Sequence, residues 1–329
     1  MINENQKIEF NENPKMASLR EGFGVGLSEL GETDLKVVAL CADLTDSTKM
    51  DLFKERFPNR FFEVGVAEQN LVTIASGMAG AGKIPFVSSY AVFSPGRNWE
   101  QIRTTICLNN QKVVIVGSHA GVSVGPDGAT HQALEDIALM RILPNMTVLT
   151  PADAEEARKA TIASAKIPGP VYLRLSREAT SVFTTKQSKF EVGKIQVLLE
   201  PENKKAEVAI FASGTVVFES LLAGLEMEKE GIPVLVINVS TIKPLDREII
   251  EIAKNVQAFV SVEEHQIAGG LGSAISELVS QNFPVPIEFV GIKDRFGQSG
   301  TADELFKEYN LTKKDIILAV RKVLVRKVG

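Results

Sequence analysis

Short runs of β-branched and aliphatic residues alternate along the chain with longer stretches whose apolar positions recur at helical spacing. Residues 35–40 read as a buried strand, and 61–66 as a second that leads into an Ala/Gly-rich helix over about 68–82. A third strand starts at Phe86. A helix is predicted over 98–108, with Trp99, Ile102 and Ile106 on one face. Strands at 112–117, 146–149 and 171–173 follow, the last two separated by a helix over 152–165 that opens with a proline followed by acidic residues. Residues 177–194 are polar, lack helical periodicity and read as a linker. The alternation then restarts, with strands at 207–211, 234–239, 258–262 and 287–290 and helices at 215–229, from about 246, near 272–280 and ending near 325. This pattern predicts an α/β fold of two consecutive domains, 1–190 and 191–329, each a mostly parallel sheet flanked by helices.

A chain of 329 residues agrees with two cores. A net charge of −5 argues against a nucleic-acid partner, which would favour a basic surplus. No apolar run approaches the roughly 20 residues that cross a bilayer, so no membrane role is expected. The polar N-terminus has no apolar core of a secretory signal. Two cysteines, Cys41 and Cys107, form no CxxC pair, and the expected location is a reducing cytoplasm.

Open α/β sheets bind ligands beyond the carboxyl ends of their strands, so polar residues following predicted strands are the candidates for chemistry. In GVAEQN, Glu68 sits where a strand ends and a helix begins. It suits the positive end of a helix dipole, and equally an acid that shares its proton with a ligand nitrogen. Tyr90 and Phe93 fall in a polar, turn-rich stretch of a chain that is only 6% aromatic, so a stacking platform competes with simple core packing. The strongest local signal is SHAGVSVGPDGATHQ. It holds two of the chain's three histidines, His119 and His131, twelve residues apart across a loop with three glycines, a proline and Asp127. Histidines can donate to an anionic substrate and move protons near neutral pH. Their spacing fits no common zinc pattern, and no Gly-x-Ser-x-Gly elbow is present.

In this order and register, GPDGATHQALEDIALMRILPN, VGVAEQN, CADLTDST, LRLSRE, EEHQIAGGLGSA and FGQSGTADEL resemble the C-terminal two-thirds of transketolase, a thiamin diphosphate enzyme, over nearly the whole chain from about Met16. The resemblance implies that Glu68 hydrogen-bonds the aminopyrimidine of the cofactor and promotes its imino tautomer. It implies that Val66 supports the bent cofactor, that Tyr90 and Phe93 flank the pyrimidine, and that Asp43 lies near it. His119 and His131 would meet substrate phosphate and hydroxyl or carbonyl oxygen, Asp127 a sugar hydroxyl, and Arg20, Ser47 and Arg177 the phosphate. His265 is expected to be structural.

One departure is large. The family binds Mg²⁺ and the diphosphate through an upstream domain carrying Gly-Asp-Gly, and no such tripeptide occurs here. The resemblance therefore implies the small subunit of a split, two-chain transketolase acting on sugar phosphates. The chain would be inactive alone. An N-terminal transketolase subunit would complete it and hold most of the Mg²⁺, with this chain paired to itself within a heterotetramer. The alternatives are the β subunit of a 2-oxo acid dehydrogenase, a 1-deoxyxylulose-5-phosphate synthase-like enzyme, and a non-catalytic assembly module.

Overall fold

A short strand, β1 (Lys15–Ser18), runs into helix α1 (Leu19–Thr33). The helix start is fixed by a capping box in which the Ser18 hydroxyl accepts from Glu21 N and the Glu21 carboxylate accepts from Ser18 N. Then come β2 (Val37–Cys41), α2 (Asp51–Arg56), β3 (Phe61–Glu63), α3 (Glu68–Gly80), β4 (Ile84–Tyr90) and α4 (Trp99–Gln101). They are followed by β5 (Val114–Ser118), α5 (Asp136–Arg141), β6 (Thr147–Leu149), α6 (Ala154–Ser164), β7 (Val171–Arg174) and β8 (Ala179–Val182). The second half adds β9 (Gln196–Leu199), β10 (Val208–Ser213), α7 (Val216–Lys229), β11 (Val234–Asn238), β12 (Thr241–Lys243) and α8 (Glu248–Val256). It ends with β13 (Phe259–Gln266), α9 (Leu271–Ser280), β14 (Ile287–Ile292), α10 (Ala302–Glu308) and α11 (Lys313–Lys327). The structure, a computed structural model, describes residues 1–11, 14–202 and 204–327.

Two large sheets result, each mostly parallel and flanked by helices, as the alternation predicts, beside a two-stranded antiparallel one of β1 and β8. The first has the order β12-β6-β7-β5-β4-β2-β3, parallel except for β12, which runs antiparallel to β6. The second has the order β14-β13-β10-β11-β9, parallel except for β9. The period of two along β2 decides which core each residue joins. Val38 and Leu40 enter one apolar cluster, and Val37, Ala39 and Cys41 enter the cluster beneath α1 on the opposite face. The first of these clusters also takes in Phe211, Ile237 and Phe259, so the two halves share a continuous apolar core.

Helices α1 and α6 lie backbone to backbone. A Cβ on Gly22 would sit 1.9 Å from Ala154 O, and one on Gly26 would sit 2.7 Å from Arg158 O. That close approach holds the first turn of α1, with Arg20, over the carboxyl ends of the sheet.

Three local expectations differ from the structure. The 61–66 strand stops at Glu63, because Gly65 takes φ +72°, outside the range of a β ladder. The helix over 98–108 holds α geometry only in α4 and widens to a π-helical turn over Ile102–Cys107. There the Thr104 and Thr105 hydroxyls donate back to Glu100 O and Gln101 O, competing for helix carbonyls. The 177–194 segment includes β8, which pairs antiparallel with β1.

Candidate active site

The register of the first sheet sets which side chains meet. Tyr90 at the end of β4 is the direct partner of Ser118 at the end of β5. The next residue, His119, turns into the left-handed region (φ +56°) and stacks on the Tyr90 ring at 3.8 Å between centroids. For a non-glycine residue that conformation costs on the order of 1–3 kcal/mol, and such strain clusters at functional sites. Phe93 also stacks with Tyr90, at 5.9 Å between centroids. His131, arriving from the far end of the loop, meets Phe93 edge-on at 5.5 Å and Tyr90 at 6.2 Å. Two histidines and two aromatics separated by up to 41 positions thus form one cluster.

Glu68 opens α3 and is 3% exposed. Its Oε2 accepts from Arg97 Nη1 at 3.0 Å and its Oε1 from Ser89 Oγ at 3.3 Å, while Asn98 Nδ2 donates to the Glu68 carbonyl at 2.9 Å. The Arg97 guanidinium also lies 4.1 Å from the Phe93 ring centroid. Its side chain is half-exposed and bridges the carboxylate to the aromatic cluster. Glu68 and Arg97 line an open hollow together with Val66, Ala67, Gln69 and Asn70, and Val66 is 69% exposed.

Asp43 and Ser47 border a second hollow with Thr45, Asp46, Lys54 and Glu63. Asp43 is left-handed (φ +59°), and its N–H donates to Glu63 Oε1 at 2.7 Å. The same oxygen accepts from Gly65 N at 3.2 Å, so one carboxylate ties the end of β2 to the turn before Glu68.

Arg20, Ser47 and Arg177 converge from three elements. Arg20 Nη1 donates to Ser47 O at 2.8 Å and Arg20 Nε to Arg177 O at 3.2 Å. Arg177 Nη1 donates to Val124 O at 2.8 Å and lies 3.7 Å from Asp127 Oδ1. Burial pushes the His119 imidazole down to about 3, helped by the nearby Arg20 and Arg177 guanidinia. It is therefore neutral at physiological pH, and its Nδ1 is paired with Ser118 Oγ at 2.9 Å.

Behind the loop lies a buried polar network that spans both halves. Asp136 Oδ2 accepts from Tyr172 Oη at 2.7 Å and from Arg174 Nε at 2.8 Å. Arg174 Nη2 donates to Glu264 O at 2.9 Å. His265 is fully buried. Its Nδ1–H donates to Gln266 O at 2.6 Å, its Nε2 accepts from Ala138 N at 3.4 Å, and burial holds its pKa down at about 4. That placement makes it a structural residue between α5 and β13.

Residue reasoning did not single out Arg97, Ser89, Asn98, Glu63 or Glu264. Arg97 and Ser89 stand in the same polar stretch as Tyr90 and Phe93, which is a usable signal. Glu264 follows the predicted 258–262 strand within EEHQIAGGLGSA, but its role is not legible there because its partners are remote in sequence. Among the described residues, no group of three or more His, Cys, Asp or Glu side chains is placed to hold a metal ion. No helix among them is long and apolar enough to cross a membrane.

Residues 15–182 match the transketolase pyrimidine-binding domain and residues 198–316 the transketolase C-terminal domain. The chain belongs to the transketolase family. A putative transketolase C-terminal section from Methanocaldococcus jannaschii is 42% identical over 301 residues, covering 91% of this chain and 93% of that protein. A 6-deoxy-6-sulfo-D-fructose transketolase subunit from a Clostridium species is 37% identical over 310 residues, covering 94% and 95%. A solved split-gene transketolase, described as an inactive β4 tetramer, superposes with a TM-score of 0.87 at 43% identity, covering 94% of this chain and 99% of that one. Transketolases are thiamin-dependent transferases, and both sheets described above carry their domain pattern.

Proposed function

We propose that this chain is the pyrimidine-binding and C-terminal subunit of a two-chain transketolase. It would transfer a two-carbon ketol unit between ketose and aldose phosphates once a second polypeptide supplies the diphosphate-binding domain and most of the Mg²⁺ contacts. The observation that carries this reading is the convergence at the strand ends of Glu68, the Tyr90–Phe93 pair, both loop histidines and the Arg20–Arg177 pair.

The residues fit thiamin diphosphate. The Arg97 guanidinium, a flat N–H donor, lies on the Phe93 face while donating to Glu68 Oε2, the two kinds of contact an aminopyrimidine would use. Glu68 and Val66 would hold the pyrimidine with Tyr90 and Phe93, and Asp43 would border the cofactor from the neighbouring hollow. When bound, the cofactor supplies a stabilised carbanion equivalent that the side chains of a protein cannot. The chain's own residues do the rest. Arg20 and Arg177 would present guanidinia to a phosphate, with Ser47 beside Arg20. His119, held neutral, offers a hydrogen bond rather than a charge, and His131, edge-on to both Tyr90 and Phe93, would act on substrate oxygen. Asp127, beside Arg177, would read a sugar hydroxyl.

The assembly expected is a heterotetramer with two copies of each chain. The outer side of α3, where a Cβ on Gly77 would meet nothing within 4 Å, is a surface that lets another backbone approach. The test is ketol transfer from xylulose 5-phosphate to ribose 5-phosphate with thiamin diphosphate and Mg²⁺, by this chain alone and with the N-terminal subunit. Activity only in the mixture supports the proposal, whereas activity of the chain alone refutes the complementary-site argument. In the mixture, Glu68→Ala is expected to abolish turnover while leaving the circular dichroism spectrum unchanged. Appreciable turnover in that variant removes Glu68 from its role.

A further inference from the structure

The loop between His119 and His131 is built on backbone that few sequences tolerate. Gly121, Gly125 and Gly128 take φ of +89°, +83° and +74°, and the two helical turns between 122 and 127 break at Gly125. His119, at the start of the loop, is itself left-handed (φ +56°), strain that persists only where the surroundings over-determine it, and here the surroundings come from the second half of the chain. Glu264 on β13 is 2% exposed. Its Oε1 accepts from Ser123 N at 2.6 Å and its Oε2 from Thr215 Oγ1 at 2.8 Å. A Cβ on Gly121 would fall 2.2 Å from Glu264 Oε1, so the carboxylate lies directly against the loop backbone. At the far end, Gln132 Nε2 donates to Val122 O and to Gln298 O, both at 3.0 Å. A Cβ on Gly128 would meet Ser299 Oγ at 2.6 Å.

From these contacts we infer that Glu264 is a positioning residue for the loop histidines, acting through Ser123 N and Thr215 to fix where His119 and His131 stand on the Tyr90–Phe93 pair. Part of the catalytic geometry is then set by the second half of the chain, which contributes no side chain to the cluster itself. This inference deepens the proposed ketol transfer and rests on it. A displacement of about 1 Å in such a site can cost on the order of 100-fold in rate.

The test compares Glu264→Ala, Glu264→Gln and wild type in the complex with the N-terminal subunit. It also follows imidazole resonances in the full chain, which has three histidines. Glutamine keeps an acceptor for Ser123 N and turns its amide toward the Thr215 oxygen. Expected is a loss of about 10- to 100-fold in kcat/KM for Glu264→Ala, with shifted His119 and His131 resonances, and recovery of most of both by Glu264→Gln. Wild-type kinetics and resonances in Glu264→Ala overturn the inference, as does a glutamine variant as impaired as the alanine one. If Glu264→Ala fails to fold, Thr215→Val decides. A several-fold loss with the same resonances displaced supports the role, and an unchanged profile overturns it. If the wild-type mixture shows no ketol transfer, the proposed function fails, and the histidine resonances of the chain alone still decide the positioning role.

Discussion

Removing the Asp136 carboxylate tests the buried network behind the loop. Asp136 and Arg174 are 1% and 8% exposed, and Asp136 Oδ2 accepts from both Arg174 Nε and Tyr172 Oη. In Asp136→Ala the guanidinium loses its counter-charge while still enclosed, and the tyrosine hydroxyl loses its acceptor. Breaking a buried pair in this way costs about 3–5 kcal/mol, because the remaining charge stays desolvated. Asp136→Leu combined with Arg174→Met and Tyr172→Phe removes both charges together with the hydroxyl that would lose its acceptor, so it should lie within about 1–2 kcal/mol of wild type, since a buried pair and its apolar replacement are near parity. Tyr172→Phe isolates the hydroxyl, worth about 1.5–3 kcal/mol for a hydrogen bond to a charged group. Trp99 is the only tryptophan, and its Nε1 donates at 2.8 Å to Leu139 O in the same helix as Asp136. Urea unfolding followed by its fluorescence therefore reports on this region. A loss below about 1 kcal/mol in Asp136→Ala would mean that water reaches Arg174, and the reasoning from burial would be refuted.

Gly121→Ala should lose about 1–3 kcal/mol from its left-handed backbone alone, and more from contact with Glu264, as read by urea unfolding. Stability matching wild type would show that the loop relaxes freely. The His119 pKa falls from 6.5 in the unfolded chain to about 3 in the folded one, so between those values the unfolded chain binds the extra proton and stability drops as pH falls. His119→Asn should flatten that slope, measured as the difference from wild type, and a slope that persists contradicts the assignment. Burial raises Glu156 from 4.5 to about 7, the opposite case: its contribution is complete below 4.5 and is lost as pH rises through 7. Glu156→Gln should therefore gain relative to wild type between pH 4.5 and 7.5, and equal pH profiles would argue against it.

Much of this molecule was legible from local pattern. The β2, β4, β5 and β7 strands announce themselves as short β-branched runs, and the rule that ligands sit at strand ends leads directly to Glu68, Tyr90 and His119. Residue chemistry could say that two histidines flank a glycine-rich loop. It could not say that the loop folds back so that both meet Tyr90, because that depends on the β4–β5 register and on contacts from beyond residue 260. Arg97 shows a different limit. The position of Glu68 points to a helix dipole or a ligand nitrogen as its partner, and it has in addition a cationic partner twenty-nine positions away that only the tertiary fold supplies. Strands β8 and β12 escaped the pattern because each is three or four residues long and owes its existence to a partner strand rather than to its own propensity.

Strand β12 follows β11 in the chain, yet it pairs with β6 and so covers one edge of the first sheet. Lys243, its last residue, reaches across to donate to Arg141 O at 3.0 Å, as well as to Leu143 O, at the end of α5. A polypeptide ending near residue 190 would lose this cover. The β6 edge would then present unpaired N–H and C=O groups, a template on which a second copy can add a strand. The second half of the chain thus doubles as a guard against self-association of the first, and severing the two is expected to produce aggregation rather than a free pyrimidine-binding module.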